Sequence, residues 1–253
     1  MKKLGIVLVT CDADQRYFPN ILQEFTRLSF PFAVCFDHCC KATKKLFSAH
    51  PCCVGTCDSP RDFDERHRQY AFDVLMKHDD YDWITYLDTD EAFDRRALDL
   101  IPEIMEYDAD VVWCPLLDLW GAGDCYRVGK GCLGPCMGPD DSQTGGKQLR
   151  DKFYNLRTGS WAYLHPHIHA PSFTARDGSN RPARRKRSNL YILHYGLMKP
   201  EDGAYHELRW STIYTRALGR NPYEHTTDRG FYEIIEKEEP ILEPFNYDTW
   251  DGK

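Results

Sequence analysis

The chain has 253 residues, of which 42% are hydrophobic and 28% charged, and its formal net charge is -7. This length suits one large α/β domain, and the composition is typical of a soluble globular protein. The acidic balance excludes a surface that attracts nucleic acid on all sides. The apolar run Leu4 to Thr10 is too short for a secretory leader, and no run approaches eighteen apolar residues. We therefore expect a cytoplasmic protein without a transmembrane segment.

The first 117 residues alternate between short apolar runs and amphipathic stretches. The predicted strands cover Leu4 to Thr10, Phe32 to Phe36, Cys52 to Thr56, Asp82 to Leu87 and Asp110 to Leu117. The predicted helices cover Phe18 to Leu28, Ala42 to Ala49, Arg61 to Lys77 and Arg95 to Tyr107. This alternation predicts βαβ units and a largely parallel, doubly wound sheet.

The second half of the chain follows a different pattern. The segment from Gly121 to Gly146 is rich in Gly, Pro and Asp and has no periodicity, which predicts a long mobile loop of the kind that covers active sites. Phe153 to Tyr163 and Tyr191 to His194 are predicted strands, and Pro200 to Leu218 is a predicted helix. We expect the acidic, aromatic tail from Glu236 to form an irregular cover.

Eleven cysteines are unusual in a chain of this length. Without a secretory leader, we expect reduced thiols in a reducing cytosol. The spacings C-x3-C-C over residues 35–40 and C-C-x3-C over residues 52–57 leave structural zinc as an alternative, although zinc sites mostly use tighter C-x2-C pairs. A zinc-stapled, non-enzymatic binding module is therefore one alternative function.

Six Arg and Lys residues fall within residues 176–187. This segment is either a solvated basic loop or a contact for a polyanionic acceptor, such as nucleic acid, an anionic glycan or a lipid headgroup. No aromatic residues are interleaved as a stacking platform, which disfavours nucleic acid.

The stretch Trp83-Ile-Thr-Tyr-Leu-Asp-Thr-Asp-Glu91 carries the strongest functional signal. A buried strand ends there in Asp88 and Asp90, with Glu91 directly after them. Clustered carboxylates repel each other unless a cation lies among them or they perform chemistry. The alternative is a helix cap, in which these carboxylates lie at the positive end of the helix that begins near Arg95.

This stretch resembles the W-I-x-x-L-D-x-D-E signature of GT-A-fold, family-2-like glycosyltransferases, and the order of elements over residues 3–120 is similar too. The resemblance implies a GT-A fold, which is Rossmann-like with a mostly parallel central sheet and flanking helices, plus a smaller acceptor-side region. It implies a single domain over residues 1–253. The nucleotide-sugar-binding half would be 1–117, and the acceptor-side half 118–253 with the mobile loop 121–146.

The resemblance also assigns roles to individual residues. Asp37 would contact the base or ribose, Asp88 the ribose or a metal-bound water, and Asp90 would ligate a divalent metal, Mn²⁺ or Mg²⁺. His194 matches a late histidine that ligates the same metal in many such enzymes; the alternative is a hydrogen-bonded histidine at a strand end. Lys199 would neutralise a diphosphate oxygen.

The family places an arginine-bearing helix before the D-x-D strand, which in this chain carries Arg61, Arg66 and Arg68. We assign Arg66 to the diphosphate, with a solvated helix face as the alternative. The sequence His165 to His169 repeats histidine at every second position and is either a metal site or a set of acceptor-binding or edge-strand residues.

Inverting transfer needs a general base for the acceptor hydroxyl. The candidates are Asp118 and Asp124, since the family's tight E-D or D-D pair is missing from any comparable position. Inversion and retention therefore stay open, and ordinary solvated carboxylates are the alternative for both residues.

The implied function is a metal-dependent transfer of a hexose from a nucleotide-diphosphate sugar, with a UDP-sugar as the expected donor. The partners are that donor and a hydroxyl acceptor, which can be a glycan, a protein, a lipid or a modified nucleic acid. A Mg²⁺-dependent nucleotidyltransferase is the second alternative. It is disfavoured because residues 11–15, after the first strand, contain no glycine.

Overall fold

The computed structural model of the chain describes residues 2–60, 66–128, 148–162, 172–179, 181–196 and 241–250. The chain divides into two compact units. The first unit comprises Met1–Cys114 and Arg150–Leu190, and the second comprises Pro115–Leu149 and Tyr191–Lys253. The first unit therefore ends three residues before the expected boundary at residue 117, and it includes the segment 150–190, which was expected in the acceptor-side half.

The elements of the first unit begin with β1 (Leu4–Cys11), a 3-10 helix (Asp12–Tyr17), α1 (Phe18–Leu28), β2 (Phe32–Asp37), α2 (Lys41–Ser48), β3 (Cys53–Asp58), α3 (His67–His78), β4 (Trp83–Asp88), β5 (Glu91–Phe93) and α4 (Ala97–Met105). The unit boundary falls within β6 (Val111–Trp120), which is followed by β7 (Cys125–Val128), β8 (Gln148–Asn155), β9 (Gly159–Ala162), β10 (Ser172–Ala175), β11 (Arg185–Arg187), β12 (Ile192–His194) and β13 (Ile241–Pro244).

The sheet of the first unit has the strand order β6-β8-β4-β1-β2-β3. β1 is parallel to both β2 and β4, and β2 is parallel to β3, whereas β8 is antiparallel to β4. The predicted α/β class, with a mostly parallel central sheet and flanking helices, is confirmed. This is also the arrangement that the resemblance to the GT-A fold implies.

The core of the first unit is built on β1 and β2, in which every residue is buried. Such uniformly buried strands are expected when helices cover both faces of a parallel sheet. The helix α3 packs against β1, β2 and β3. Gly5 makes this close approach possible, because a Cβ atom there would lie 2.6 Å from Leu75 Cδ2.

The second unit has three strand pairings of its own and a separate apolar core. β12 is parallel to β6, β7 is antiparallel to β6, and β13 is antiparallel to β7. The core consists of apolar side chains from these strands and the segments beside them: Leu117, Leu119, Tyr126, Tyr191, Leu193 and Phe245. In the parts of the chain that the structure describes, no helix combines the length and apolarity needed to cross a membrane.

The predicted strand Phe153 to Tyr163 is wrong, since two strands cover this region. β8 ends at Asn155, whose side-chain Oδ1 accepts a hydrogen bond from the Arg157 backbone N–H at 3.1 Å. The Thr158 hydroxyl donates to the Asn155 carbonyl at 3.2 Å and closes the turn. An asparagine side chain that bonds the backbone two residues ahead is a strong turn former, and it overrides the apolar run.

The predicted loop from Gly121 to Gly146 is wrong at its start, where the structure places β7 in a hairpin with β6. Gly121 adopts a φ of 65°, a left-handed conformation that suits glycine in a tight turn. The tail also contains a strand, β13, instead of a wholly irregular cover. Residues 129–147 and the predicted helix Pro200 to Leu218 lie outside the described residues.

The basic segment 176–187 is largely paired within the first unit. Asp110 is fully buried and accepts hydrogen bonds from the Arg181 guanidinium at 2.5 Å and from the Arg184 backbone N–H at 2.8 Å. Arg184 also pairs with Asp108, and Arg185 with Asp151. Residues 184–187 are exposed, as the alternative of a solvated segment predicts, but the segment is not only a loop, because Arg185–Arg187 form β11 and three of its arginines pair with the fold.

We expect Asp110→Asn to lower the free energy of unfolding by about 2 kcal/mol, because it weakens charge-assisted hydrogen bonds to a buried carboxylate. Chemical denaturation at pH 7 measures the change. Asp108→Asn is the matched control, since that side chain is 89% exposed and should leave stability indistinguishable from the parent protein. Equal destabilisation by both variants would contradict the stabilising role of the hydrogen bonds to Asp110.

The contribution of Asp110 should also depend on pH. Burial alone would raise the pKa of Asp110, but hydrogen bonds from Arg181 and Arg184 hold that pKa well below its ordinary value. A depressed folded-state pKa gives stability that is complete above the pKa of the unfolded chain, about 4, and is lost below it. The difference in stability between the parent protein and Asp110→Asn should therefore shrink as pH falls below about 4. A difference in stability that stays constant down to pH 2 would contradict the lowered pKa of Asp110 in the folded protein.

Candidate active site

Carboxylates gather at the carboxyl ends of three neighbouring parallel strands of the first unit. Asp37 is the last residue of β2, Asp88 is the last residue of β4, and Asp12 directly follows β1. β1 lies between β2 and β4, and the chain continues to β2 on one side of it but to β4 on the other. Such a topological switch point is where open α/β sheets bind ligands. The first unit thus brings the predicted residues Asp37 and Asp88 to one edge of the sheet.

The turn after β4 is fixed by the residue between the two aspartates. Thr89 is buried, and its hydroxyl donates to Asp14 Oδ2 at 2.9 Å and lies 3.3 Å from the Val9 carbonyl oxygen. Asp88 and Asp90 on either side of it are partly exposed. Anchoring the middle residue to β1 and to the 3-10 helix leaves both flanking carboxylates accessible to a ligand. Sequence reasoning missed this role of Thr89 and Asp14.

Glu91, the third acidic residue of the motif, has a different environment. It is 7% exposed, and its Oε2 lies 2.5 Å from Lys152 Nζ, a lysine of β8 that is 1% exposed. The same oxygen accepts a hydrogen bond from the Asp88 backbone N–H at 3.0 Å. Glu91 is therefore a structural partner of the turn rather than one of its accessible carboxylates.

One of the three arginines predicted near the motif, Arg68, pairs with it. Its guanidinium forms a salt bridge with the Asp88 carboxylate and lies 4.8 Å from the centre of the Tyr86 ring. Arg66, the predicted diphosphate residue, precedes α3 and places its guanidinium 5.6 Å from the Tyr70 ring. Arg61 lies outside the described residues. Arg68 thus brings positive charge to the acidic edge.

Asp12 is held in place by the start of α2. Its two carboxylate oxygens accept hydrogen bonds from the Thr43 hydroxyl at 2.7 Å and from the Cys40 backbone N–H at 2.8 Å. Burial alone would raise the pKa of Asp12, but these hydrogen bonds outweigh it and hold that pKa below its ordinary value. Asp37 on the neighbouring strand is 4% exposed. The carboxylates of Asp12 and Asp37 therefore lie at the ends of β1 and β2, the two strands that come after β4 and its Asp88–Asp90 turn in the order of the sheet.

The second unit pairs two further predicted residues. Asp118 lies within β6, directly beside His194, the last residue of β12, and the Asp118 Oδ1 to His194 Nδ1 distance is 2.8 Å. Both residues are buried. Asp124 instead lies exposed in the turn before β7. The alternative of a solvated Asp118 is therefore wrong, whereas Asp124 is solvated. Lys199 and His165 to His169 lie outside the described residues.

Asp88 and Asp90 fit a hard divalent cation by the chemistry of their donors. Mg²⁺ takes one or two protein carboxylates together with phosphate oxygens and water, and Mn²⁺ favours similar oxygen ligands. Among the described residues, no group of three or more His, Cys, Asp or Glu side chains is arranged to hold a metal ion by itself. The two aspartates thus supply donors of the kind that such a cation takes.

The zinc alternative gains no support within the described residues. Every cysteine there is a thiol, and none belongs to a group of metal ligands. Cys35 and Cys57 instead lie side by side on β2 and β3. Cys132 and Cys136 fall outside the described residues.

No protein-family model and no curated protein matches the chain. Among solved structures, the chain is similar to S. aureus TarS, with 14% identity, a TM-score of 0.48 and 87% of this chain covered. It spans only 40% of the length of that protein. TarS 1-349 in complex with UDP-GlcNAc is similar at 12% identity and a TM-score of 0.43, with 92% of this chain and 70% of that chain covered.

Another similar structure is described as a nucleotide-diphospho-sugar transferase from Desulfovibrio desulfuricans G20, with 11% identity and a TM-score of 0.43. The match covers 94% of this chain and 95% of that chain. At these identities and TM-scores, the likenesses establish neither a family nor an activity.

We expect iodoacetamide to alkylate Cys40 first among the described thiols. Cys40 is exposed, and the hydrogen bond from the Thr43 backbone N–H is the main cause that lowers its pKa. Burial raises the pKa of the neighbouring Cys39 thiol to about 12, and Cys114 is buried completely. Peptide mass spectrometry of the native protein measures the order, with Cys40→Ser as the control. Labelling of Cys114 as fast as Cys40 would contradict the burial of Cys114 and the exposure of Cys40.

Proposed function

We propose that this chain is a metal-dependent glycosyltransferase, which moves a hexose from a nucleotide-diphosphate sugar, with a UDP-sugar as donor, to a hydroxyl acceptor. The observation that carries the proposal is the Asp88-Thr89-Asp90 turn at the switch point of a parallel sheet. Two accessible carboxylates at that position, held by a buried threonine, suit a cation bound to a diphosphate.

The proposed metal is Mn²⁺ or Mg²⁺, with Asp90 as its ligand and Asp88 towards the ribose or a metal-bound water. A divalent cation stabilises the negative charge that develops on a departing diphosphate. Arg68, which pairs with Asp88, would add a second positive charge beside the departing diphosphate. Ligation by His194 and a diphosphate contact from Lys199 or Arg66 stay predictions.

The nucleoside would lie over the carboxyl ends of β1 and β2. Asp37 at the end of β2 supplies a carboxylate acceptor for a ribose hydroxyl or a base N–H. Asp12 keeps its carboxylate ionised through its bonds to Thr43 and Cys40 and so fixes the adjoining loop. This arrangement supports recognition of a nucleotide in the first unit.

The general base stays a prediction, with Asp118 and Asp124 as its candidates. A base must reach the proton that it removes. Asp124 has an exposed side chain, whereas Asp118 already faces His194. The acceptor class, a cytoplasmic location and the choice between inversion and retention are likewise predictions from the sequence.

Asp90→Asn should remove metal-dependent transfer while leaving the fold intact. We expect turnover to fall by at least about 100-fold, equivalent to ~2.7 kcal/mol of lost transition-state stabilisation. The melting temperature without ligand should hardly change, because Asp90 is partly exposed. Asp99→Asn is the matched control, since that aspartate lies exposed on α4. Unaltered turnover in Asp90→Asn would remove the metal role.

Binding and product measurements test the donor. MnCl₂ and UDP together should raise the melting temperature more than either alone, because a ligand that binds only the native state stabilises it. Incubation with a panel of UDP-sugars and acceptors should release UDP. Release of pyrophosphate from a nucleoside triphosphate and a sugar phosphate would instead identify a nucleotidyltransferase.

A further inference from the structure

The salt bridge between Lys152 and Glu91 lies directly beneath the proposed metal-binding turn. Lys152 Nζ lies 2.5 Å from Glu91 Oε2, and the two side chains are 1% and 8% exposed. Taking two charges out of water is costly, and an apolar pair of similar volume often stabilises a fold equally well. Stability alone therefore gives little reason for this pair to be here.

The contacts of Glu91 indicate a different role. The oxygen that meets Lys152 also accepts the Asp88 backbone N–H at 3.0 Å. Asp88 is the last residue of β4, and the chain turns at Thr89 and Asp90 before Glu91 begins β5. Glu91 thus closes this turn across its base, and Lys152 holds the closing carboxylate in place.

Tyr86 connects this pair to the side chain of Asp88. Lys152 Nζ lies 4.2 Å from the centre of the Tyr86 ring, and the Arg68 guanidinium carbon lies 4.8 Å from it. Arg68 in turn forms a salt bridge with the Asp88 carboxylate. Asp88 is therefore held at its backbone through Glu91 and at its side chain through Arg68.

We propose that the buried Lys152–Glu91 pair positions the Asp88–Asp90 turn for a divalent cation bound with a nucleoside diphosphate. The pair acts through the Asp88 backbone and touches neither the cation nor the nucleotide, so both members are positioning residues. Lys152 also neutralises the Glu91 charge, which would otherwise add to the repulsion between Asp88 and Asp90. This inference rests on the proposed function and deepens it.

Two charge-free double variants separate positioning from stability. Glu91→Leu/Lys152→Met removes the pair and the acceptor of the Asp88 N–H, whereas Glu91→Gln/Lys152→Met removes the charges but keeps an oxygen acceptor. The affinity for Mn²⁺ in the presence of UDP is measured by titration calorimetry, and the melting temperature is measured alongside. Lys77→Met is the control, because Lys77 lies exposed on α3.

We expect Mn²⁺ affinity in Glu91→Leu/Lys152→Met to fall by about 10–100-fold, the usual effect of losing a residue that orients a metal ligand. Glu91→Gln/Lys152→Met should recover part of that loss, and Lys77→Met should match the parent protein. A purely structural pair would shift the melting temperature of both doubles and leave their Mn²⁺ affinity unchanged.

Unchanged Mn²⁺ affinity in folded Glu91→Leu/Lys152→Met, with the parent protein binding Mn²⁺ and UDP, overturns this inference alone. Failure of both doubles to fold overturns it as well, since the pair would then be structural. Absence of Mn²⁺-dependent UDP binding in the parent protein overturns the proposed function and this inference together.

Discussion

Repulsion between carboxylates is the constraint around which the acidic edge of the first unit is built. Parallel pairing of β1 with β2 and β4 brings the ends of all three strands to one edge, and each of the three is followed by or ends in an aspartate. Like charges at such an edge destabilise the fold unless hydrogen bonds or cations offset them. Separate partners offset the charges of Asp12, Asp88 and Glu91.

The groups that offset the negative charge differ between the carboxylates that support the site and those that remain accessible. Asp14 and Glu91 are buried, with partners from Thr89 and Lys152. Asp88 is partly exposed and meets Arg68, a cation on a long side chain. Buried ion pairs fix the backbone, whereas a partly exposed pair can be exchanged for another cation at little cost. This division keeps the turn in shape and leaves its outer face to a ligand.

The segment 150–190 has a larger part in the first unit than its distance along the chain suggests. It provides β8, whose Lys152 supports the acidic turn, and it provides Arg181 and Arg184, which enclose the buried Asp110. A basic cluster that would suit a polyanionic acceptor by composition is thereby used within the fold. Composition could not distinguish these roles, because the partners Asp108 and Asp110 precede the cluster by about seventy residues.

The sequence by itself determined the order of strands and helices through residue 117, except for the 3-10 helix Asp12–Tyr17 and the strand Glu91–Phe93, and it determined the position of the aspartates at strand ends. Apolar runs and helical periodicity are local signals, and they are strong where a strand is buried on both faces. The sequence missed the turn at Asn155 and the strand Cys125–Val128, where a side-chain hydrogen bond or a hairpin partner outweighs local composition.

Only the tertiary structure decided which charges meet. The pairing of Lys152 with Glu91, of Arg68 with Asp88, and of Asp118 with His194 joins residues that are 20 to 76 positions apart. Spacing along the chain carries no information about such contacts, because the register of the strands and the length of each side chain set them. The D-x-D motif was therefore visible in the sequence, and the groups that hold it in place were not.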